Sequence, residues 1–170
     1  MQWNLDGNRE FGNLLTLSDC RWTVGLHRIT WRATCTALSN LDAIADAMAW
    51  LIGDAEDVRL DKTTSYHGPE VVLIEATTKK KKQALGSMAR LGVEQLAIVR
   101  ETLNQRLDNE HVIHFRLDLN ELINGTIVLA NAGSTGQIKG QAKVEVYPGQ
   151  SVDEQVSSVM DEVLAMAASA

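Results

Sequence analysis

Apolar and polar residues alternate with a period of two from His27 to Ala37. Ile29, Trp31, Ala33, Cys35 and Ala37 make one side of this stretch, and Arg28, Thr30, Arg32, Thr34 and Thr36 make the other. A strand with one buried face follows from that spacing. The period then changes. Leu41, Ile44, Ala45, Met48, Leu51 and Ile52 recur at helical spacing, with Ser39 three residues before Asp42 in the manner of a capping box and Gly53 as the stop. Val58 to Ser65 and Val71 to Ala76 read as strands joined through His67-Gly68-Pro69, a hairpin. Two helices are expected next. Lys79 to Leu91 turns Leu85, Met88 and Leu91 inward, and Val93 to Leu107 does the same with Leu96, Val99, Leu103 and Leu107. His111 to Asp118 alternates again, Leu119 to Asn124 is a short helical turn, and Thr126 to Ala130 and Ile138 to Tyr147 read as strands. A last helix opens at Ser151 with Glu154 and carries a wide stripe of Val152, Val156, Val159, Met160, Val163 and Leu164.

Hairpins mixed with helices, instead of strict strand–helix alternation, predict an α+β fold. Its sheet is mainly antiparallel, with helices packed on one face. Residues 1–21 hold neither period and read as an extension that Trp3, Phe11, Leu14 and Leu15 order in part; residues 22–166 form a single domain and 167–170 a frayed tail.

Composition narrows the function classes. Hydrophobic residues make up 45% of the 170 positions and charged residues 22%, enough for a buried core and against disorder. Sixteen basic against 22 acidic residues leave a net charge of −6, which excludes a generally basic nucleic-acid coat but not a local basic face. The polar start MQWNLDGNRE does not read as a signal peptide, and no apolar run approaches the roughly 18 residues of a membrane span, so a cytoplasmic setting is expected. Cys20 and Cys35 make neither a disulfide framework nor a zinc pair.

Catalytic patterns are lacking. There is no GxSxG elbow and no phosphate loop, and Gly133 to Gly136 precedes a strand instead of a helix. His27, His67, His111 and His114 are dispersed, so neither metal nor cofactor is expected. Asp153–Glu154 and Asp161–Glu162 belong to the solvated side of the last helix. The chain reads as a non-enzyme, and only a pocket lined by His67, His114 and Asp118 would reopen that question.

The informative feature is distributed over three strands. With the apolar alternates facing the helices, the opposite sheet face displays Arg28, Thr30, Arg32 and Thr34, then His114 and Arg116, then Lys139, Gln141 and Lys143. A run of four lysines, Lys79, Lys80, Lys81 and Lys82, starts a helix, where positive charge opposes the helix dipole. A basic sheet face is one way to hold an RNA backbone, and without stacking aromatics it favours phosphates over bases. An ordinary wet sheet face and a dimer interface across that face are the alternatives.

The segments YHGPEVVLIEA, HFRLD, Gly125 before a strand, and IKGQAKVEVYP, in this order within residues 24–165, resemble an archaeal family of small RNA-binding proteins, or predicted exosome subunits. Arg116, Leu117, Asp118, Lys143, Tyr147 and Pro148 match its pattern well. The turn at His67-Gly68-Pro69-Glu70 departs from it, with the proline one position early, and Ser134-Thr135-Gly136-Gln137 replaces an acidic turn. The resemblance implies a fold similar to the large-subunit ribosomal protein that binds 5S rRNA, often a dimer, associated with RNA processing and without catalytic residues. The expectation is therefore a non-catalytic RNA-binding, exosome-associated accessory factor. Arg28, Arg32, Arg116, Lys139, Lys143 and Lys79–Lys82 would contact phosphates. The alternative is a homodimeric assembly adaptor that binds no RNA, joined through the sheet face or the last helix.

Overall fold

The computed structural model describes residues 25–36, 38–64, 66, 68, 70–131, 134 and 136–170. The predicted extension 1–21, Cys20, and the turn residues His67 and Pro69 lie outside them. In chain order the elements are β1 (Leu26–Thr36), α1 (Leu41–Ile52), a 3₁₀ turn (Ala55–Asp57), β2 (Val58–Thr64), β3 (Glu70–Thr78), α2 (Lys81–Ala89), α3 (Gly92–Glu101), α4 (Leu103–Arg106), β4 (Val112–Asp118), α5 (Leu119–Ile123), β5 (Gln137–Val144) and α6 (Val152–Ala168). The strands form one five-stranded sheet in the order β2-β3-β1-β5-β4, every neighbouring pair antiparallel. This is the expected α+β fold.

Register places the apolar alternates of the central strands in rows on one face. Ile74, Ala33, Ile138 and Leu117 form one row, and Ala76, Trp31, Gly140 and Phe115 form the next. All eight are buried or belong to a buried strand position, and the helices close over them through Ile44, Met48, Leu51, Met88, Leu96, Val99, Val156, Val159 and Val163. Trp31 carries one polar atom into this layer and finds a partner for it. Its indole N–H donates to Ser87 Oγ at 2.9 Å, and the Ser87 hydroxyl donates to the Leu51 carbonyl at 2.7 Å. One satisfied chain thus links β1, α2 and α1 inside the core, where an unpaired N–H would cost on the order of 1–3 kcal/mol. Cys35 is a core residue, as its alternation predicts, and burial pushes its thiol pKa up.

Several predicted details are corrected. The helix expected over 93–107 is broken at Thr102, whose hydroxyl donates to the Ile98 carbonyl at 2.7 Å and accepts from Arg106 Nε at 2.6 Å. Hydroxyl bonding of this kind competes with the helical ladder. Thr126 to Ala130 is not a strand. It touches β4 through a single bridge, Leu117–Leu129, and on its far side the Leu129 N–H donates to Gln95 Oε1 at 3.0 Å. The cap of α1 is Asn40, whose side chain accepts from Ala43 N at 3.2 Å, while Ser39 turns back to Thr36. Ser151 caps α6 without a side-chain bond, and that helix runs on to Ala168. β5 ends at Val144, three residues before Tyr147.

Candidate nucleic-acid interface

Among the described residues no helix covers the other face of the sheet; along β1, Arg28, Arg32, Thr34 and Thr36 are exposed there, whereas Thr30 is buried. Cross-strand register brings the predicted cations together. Arg28 stands opposite Lys143, Arg32 opposite Lys139, and Lys139 opposite Arg116. Directly opposite residues share a face with Cβ atoms about 4.5–5.5 Å apart, so these five side chains form two adjoining clusters on β1, β5 and β4. Between them lies a polar row of Thr77, Thr30, Gln141 and His114. The rows are two residues apart along a strand, about 6.8 Å.

The row through Arg32 crosses the whole sheet as Arg59, Glu75, Arg32, Lys139 and Arg116, a span of about 19 Å at the usual strand spacing. Two members of it escaped the sequence reading. Arg59 extends the cationic row to the edge strand, and Glu75 interrupts it, accepting from Arg32 Nε at 2.5 Å. Period two within β2 and β3 was visible, but which residues stand beside Arg32 depends on the hairpin register. Acidic groups are also not confined to helices and loops. Glu75, Asp61 and Asp118 share the open face, Asp61 opposite Leu73 and Asp118 opposite Gln137. The face is therefore polarised. Its β1–β5–β4 half is cationic, and its β3–β2 half is mixed. No Phe, Tyr or Trp lies among the described residues of this face.

Lys79 and Lys80 follow the end of β3, and Lys81 and Lys82 open α2. Lys81 is committed to an ion pair with Glu145, and its side chain also lies against Gly25, just before β1. The Lys81 ammonium, followed by the Tyr147 hydroxyl, holds the Glu145 carboxyl below the usual carboxylate range. In return, hydrogen bonding to Glu145 raises the pKa of both Lys81 and Tyr147. Gly68 takes a positive φ of 97°, as a turn glycine does, while the other two residues of that motif lie outside the described ones.

His114 is anchored. Its Nε2 lies 2.7 Å from Asp108 Oδ2, and Asp108 Oδ1 accepts from Val112 N and Glu110 N, both at 2.9 Å. The His114 hydrogen bond, then the Val112 N–H, holds the Asp108 carboxyl below its ordinary value of 3.8. A carboxyl whose folded pKa is depressed stabilises the fold fully above its unfolded value, and the contribution is lost as pH falls through the folded one. Thermal unfolding followed from about pH 6 to about pH 3 is expected to show stability declining below about 4. Asp108→Asn should be less stable near neutrality, by up to about 1 kcal/mol for so exposed a pair, and its decline should be shallower.

Of the three residues whose pocket would suggest catalysis, His67 lies outside the described ones. His114 is held by Asp108, and Asp118 caps α5 by accepting from Asn120 N at 2.9 Å and Glu121 N at 3.1 Å. Among the described residues no three His, Cys, Asp or Glu side chains converge as a metal site, and no helix is long and apolar enough to cross a membrane.

Fold and face together define an α+β protein with one helix-covered sheet face and one face that is rich in cations and open among the described residues. The model of a family described as RNA binding matches residues 28–144, and the chain belongs to that family. The fold is similar to solved archaeal structures. A DUF54 protein from Methanothermobacter thermautotrophicus is 17% identical with a TM-score of 0.63, covering 82% of this chain and 98% of its own. A DUF54 protein from Archaeglobus fulgidus is 18% identical with a TM-score of 0.60, covering 82% and 98%. A UPF0201 protein from Methanococcus jannaschii is 14% identical with a TM-score of 0.54, covering 81% and 92%. At these identities the likeness is one of fold. Among curated proteins no sequence matches the chain.

Proposed function

We propose that the protein is a non-catalytic RNA-binding accessory factor of RNA processing. It holds RNA by its phosphates on the β1–β5–β4 half of the open sheet face. The observation that carries this reading is the cross-strand adjacency of Arg28 with Lys143 and of Arg32 with Lys139 and Arg116. Five cations from three strands share one face that no described helix covers, on a chain whose net charge is −6. Overall charge repels a polyanion, so attraction must be local. Guanidinium groups suit phosphate recognition because their N–H donors match its oxygens in pairs. The absence of Phe, Tyr and Trp among the described residues of the face favours backbone contact with little sequence preference. A cytoplasmic site of action, with exosome components as partners, belongs to the same reading and rests on the family resemblance.

Fluorescence anisotropy of labelled single-stranded RNA across a salt series tests it. Five phosphate contacts predict a slope of log affinity against log salt near −3.5, or roughly a hundredfold weaker binding between about 50 and 200 mM salt. Absence of binding at low salt would refute the proposal, and a flat salt response would refute phosphate contact.

A further inference from the structure

Two backbone irregularities at the β1–β5–β4 end of the sheet fall on histidines that line one cleft. Pairing between β1 and β5 passes from Leu26–Val144 to Arg28–Lys143, so His27 is an extra residue without a cross-strand partner. A bulge of this kind re-aims a side chain and is frequent beside functional sites. His111, just before β4, holds a φ of 62°, in the left-handed region that residues other than glycine seldom enter. It is fixed there: its N–H donates to the Asp108 carbonyl at 3.1 Å, and its own carbonyl accepts from Val144 N at 2.9 Å. The cleft measures about 390 Å³, and both histidines line it together with Glu110, Lys143 and Glu145. Sites for small ligands begin at about 300 Å³, so there is room for one nucleoside. Lys143 joins the cleft to the sheet face, because it also stands opposite Arg28. Glu145 is already engaged by Lys81 and Tyr147. No hydrogen bond or ion pair with another described residue engages the Glu110 carboxylate or the His111 ring.

We propose that this cleft takes one base of the bound RNA, a guanine, next to the phosphate held by Arg28 and Lys143. The proposal rests on the RNA reading and adds to it one position at which sequence matters. An ionised carboxylate only accepts hydrogen bonds, and it does so through two oxygens. Of the four RNA bases, guanine alone offers two adjacent N–H donors on its Watson–Crick edge, N1–H and the N2 amino group. Both suit the Glu110 carboxylate, and the neighbouring O6 accepts from an imidazole N–H. Uracil sets one donor between two carbonyls, and adenine and cytosine each set an amino group beside an acceptor, so each leaves a carboxylate oxygen facing an acceptor. An imidazole face is also a surface on which a base stacks, which the rest of the open face lacks.

The test is fluorescence anisotropy with short labelled oligouridines, one all uridine and the others carrying a single central guanosine, inosine, adenosine or cytidine. The guanosine oligomer is expected to bind about tenfold more tightly than the all-uridine one. Inosine, which lacks the N2 amino group, should lose most of that gain. Glu110→Gln and His27→Ala should each reduce the guanosine preference to less than about twofold while all-uridine binding persists. That persistence also shows that the variants are folded. Salt-sensitive binding of equal strength to every oligomer would leave the phosphate reading standing and overturn this inference. So would a preference for another base, or a guanosine preference that both variants keep. Absence of binding to all of the oligomers at low salt would overturn both.

Discussion

Replacing Arg32 and Lys143 together by glutamate is expected to lower RNA affinity at least about a hundredfold and to flatten most of the salt dependence. The loss should exceed what two missing contacts explain, because of what stands opposite each position. The new carboxylate at position 143 would face Arg28, and the one at position 32 would face Lys139, so both remaining cations acquire an anionic neighbour within cross-strand reach. Of the five clustered cations only Arg116 would then remain without a carboxylate introduced directly opposite it. The fold should survive. The Arg32 side chain is half exposed, and its pair with Glu75 is a surface pair worth at most about 1 kcal/mol. Arg100→Glu, which reverses one charge instead of two, is the control. Arg100 lies on α3 and pairs with Asp161 of α6 at 2.7 Å, in the helical layer away from the open face. Its affinity should change less than about threefold. A loss in log affinity half as large from this one reversal as from the two on the face would mean that net charge alone governs binding, and the face assignment would fail.

The same comparison shows what a single sequence discloses. The strict alternation of β1 separated Trp31, Ala33 and Cys35 from Arg32 and Thr34, and both sets lie where that alternation places them. Alternation is a local property with one answer once one face must be buried. Which residues become neighbours across strands is not local. Arg28–Lys143 and Arg32–Lys139 are more than 100 residues apart in the chain, and their meeting rests on the β1–β5 register. Thus the cations of the face were legible as a set, whereas their division into two clusters, the intrusion of Glu75 and the extension to Arg59 were not. The segment Thr126 to Ala130 shows the opposite failure. Its β-branched, apolar residues read as a strand, but it meets β4 only at the Leu117–Leu129 bridge, and on its far side Gln95 of α3 takes the Leu129 N–H. Tertiary context overrode a local preference. Of the lysine run, the structure adds one thing the sequence did not disclose, the ion pair of Lys81 with Glu145.

Gly140→Ala is expected to destabilise the protein by about 3 kcal/mol, the upper part of the usual range for overpacking. In a domain of this size that corresponds to a fall in Tm of roughly 6–12 °C. Gly140 lies in the middle of β5, directly between Trp31 on β1 and Phe115 on β4 in one buried row. The two rings close over it, with centroids 5.1 Å apart and planes inclined at 46°. A Cβ at this position would fall 2.3 Å from Phe115 Cδ2, 2.4 Å from Phe115 Cε2 and 2.4 Å from Trp31 Cζ3. Neither ring has an easy retreat. Trp31 is wholly buried and tied through its N–H to Ser87, and Phe115 is 1% exposed. The backbone φ of Gly140 is not in the left-handed region, so the expected cost is one of space and not of backbone strain. A double-mutant cycle separates this account from a general weakening of β5. Phe115→Leu removes the ring, so adding Gly140→Ala to it should cost at least about 1 kcal/mol less than adding it to the wild type. Strict additivity would place the fault in the strand instead of the ring contact. Because residue 140 faces the helices, RNA affinity measured well below the melting transition should not change. That would separate the two faces of β5 experimentally, with Lys139 and Lys143 as the proposed phosphate contacts and Gly140 allowing the aromatic pair to meet.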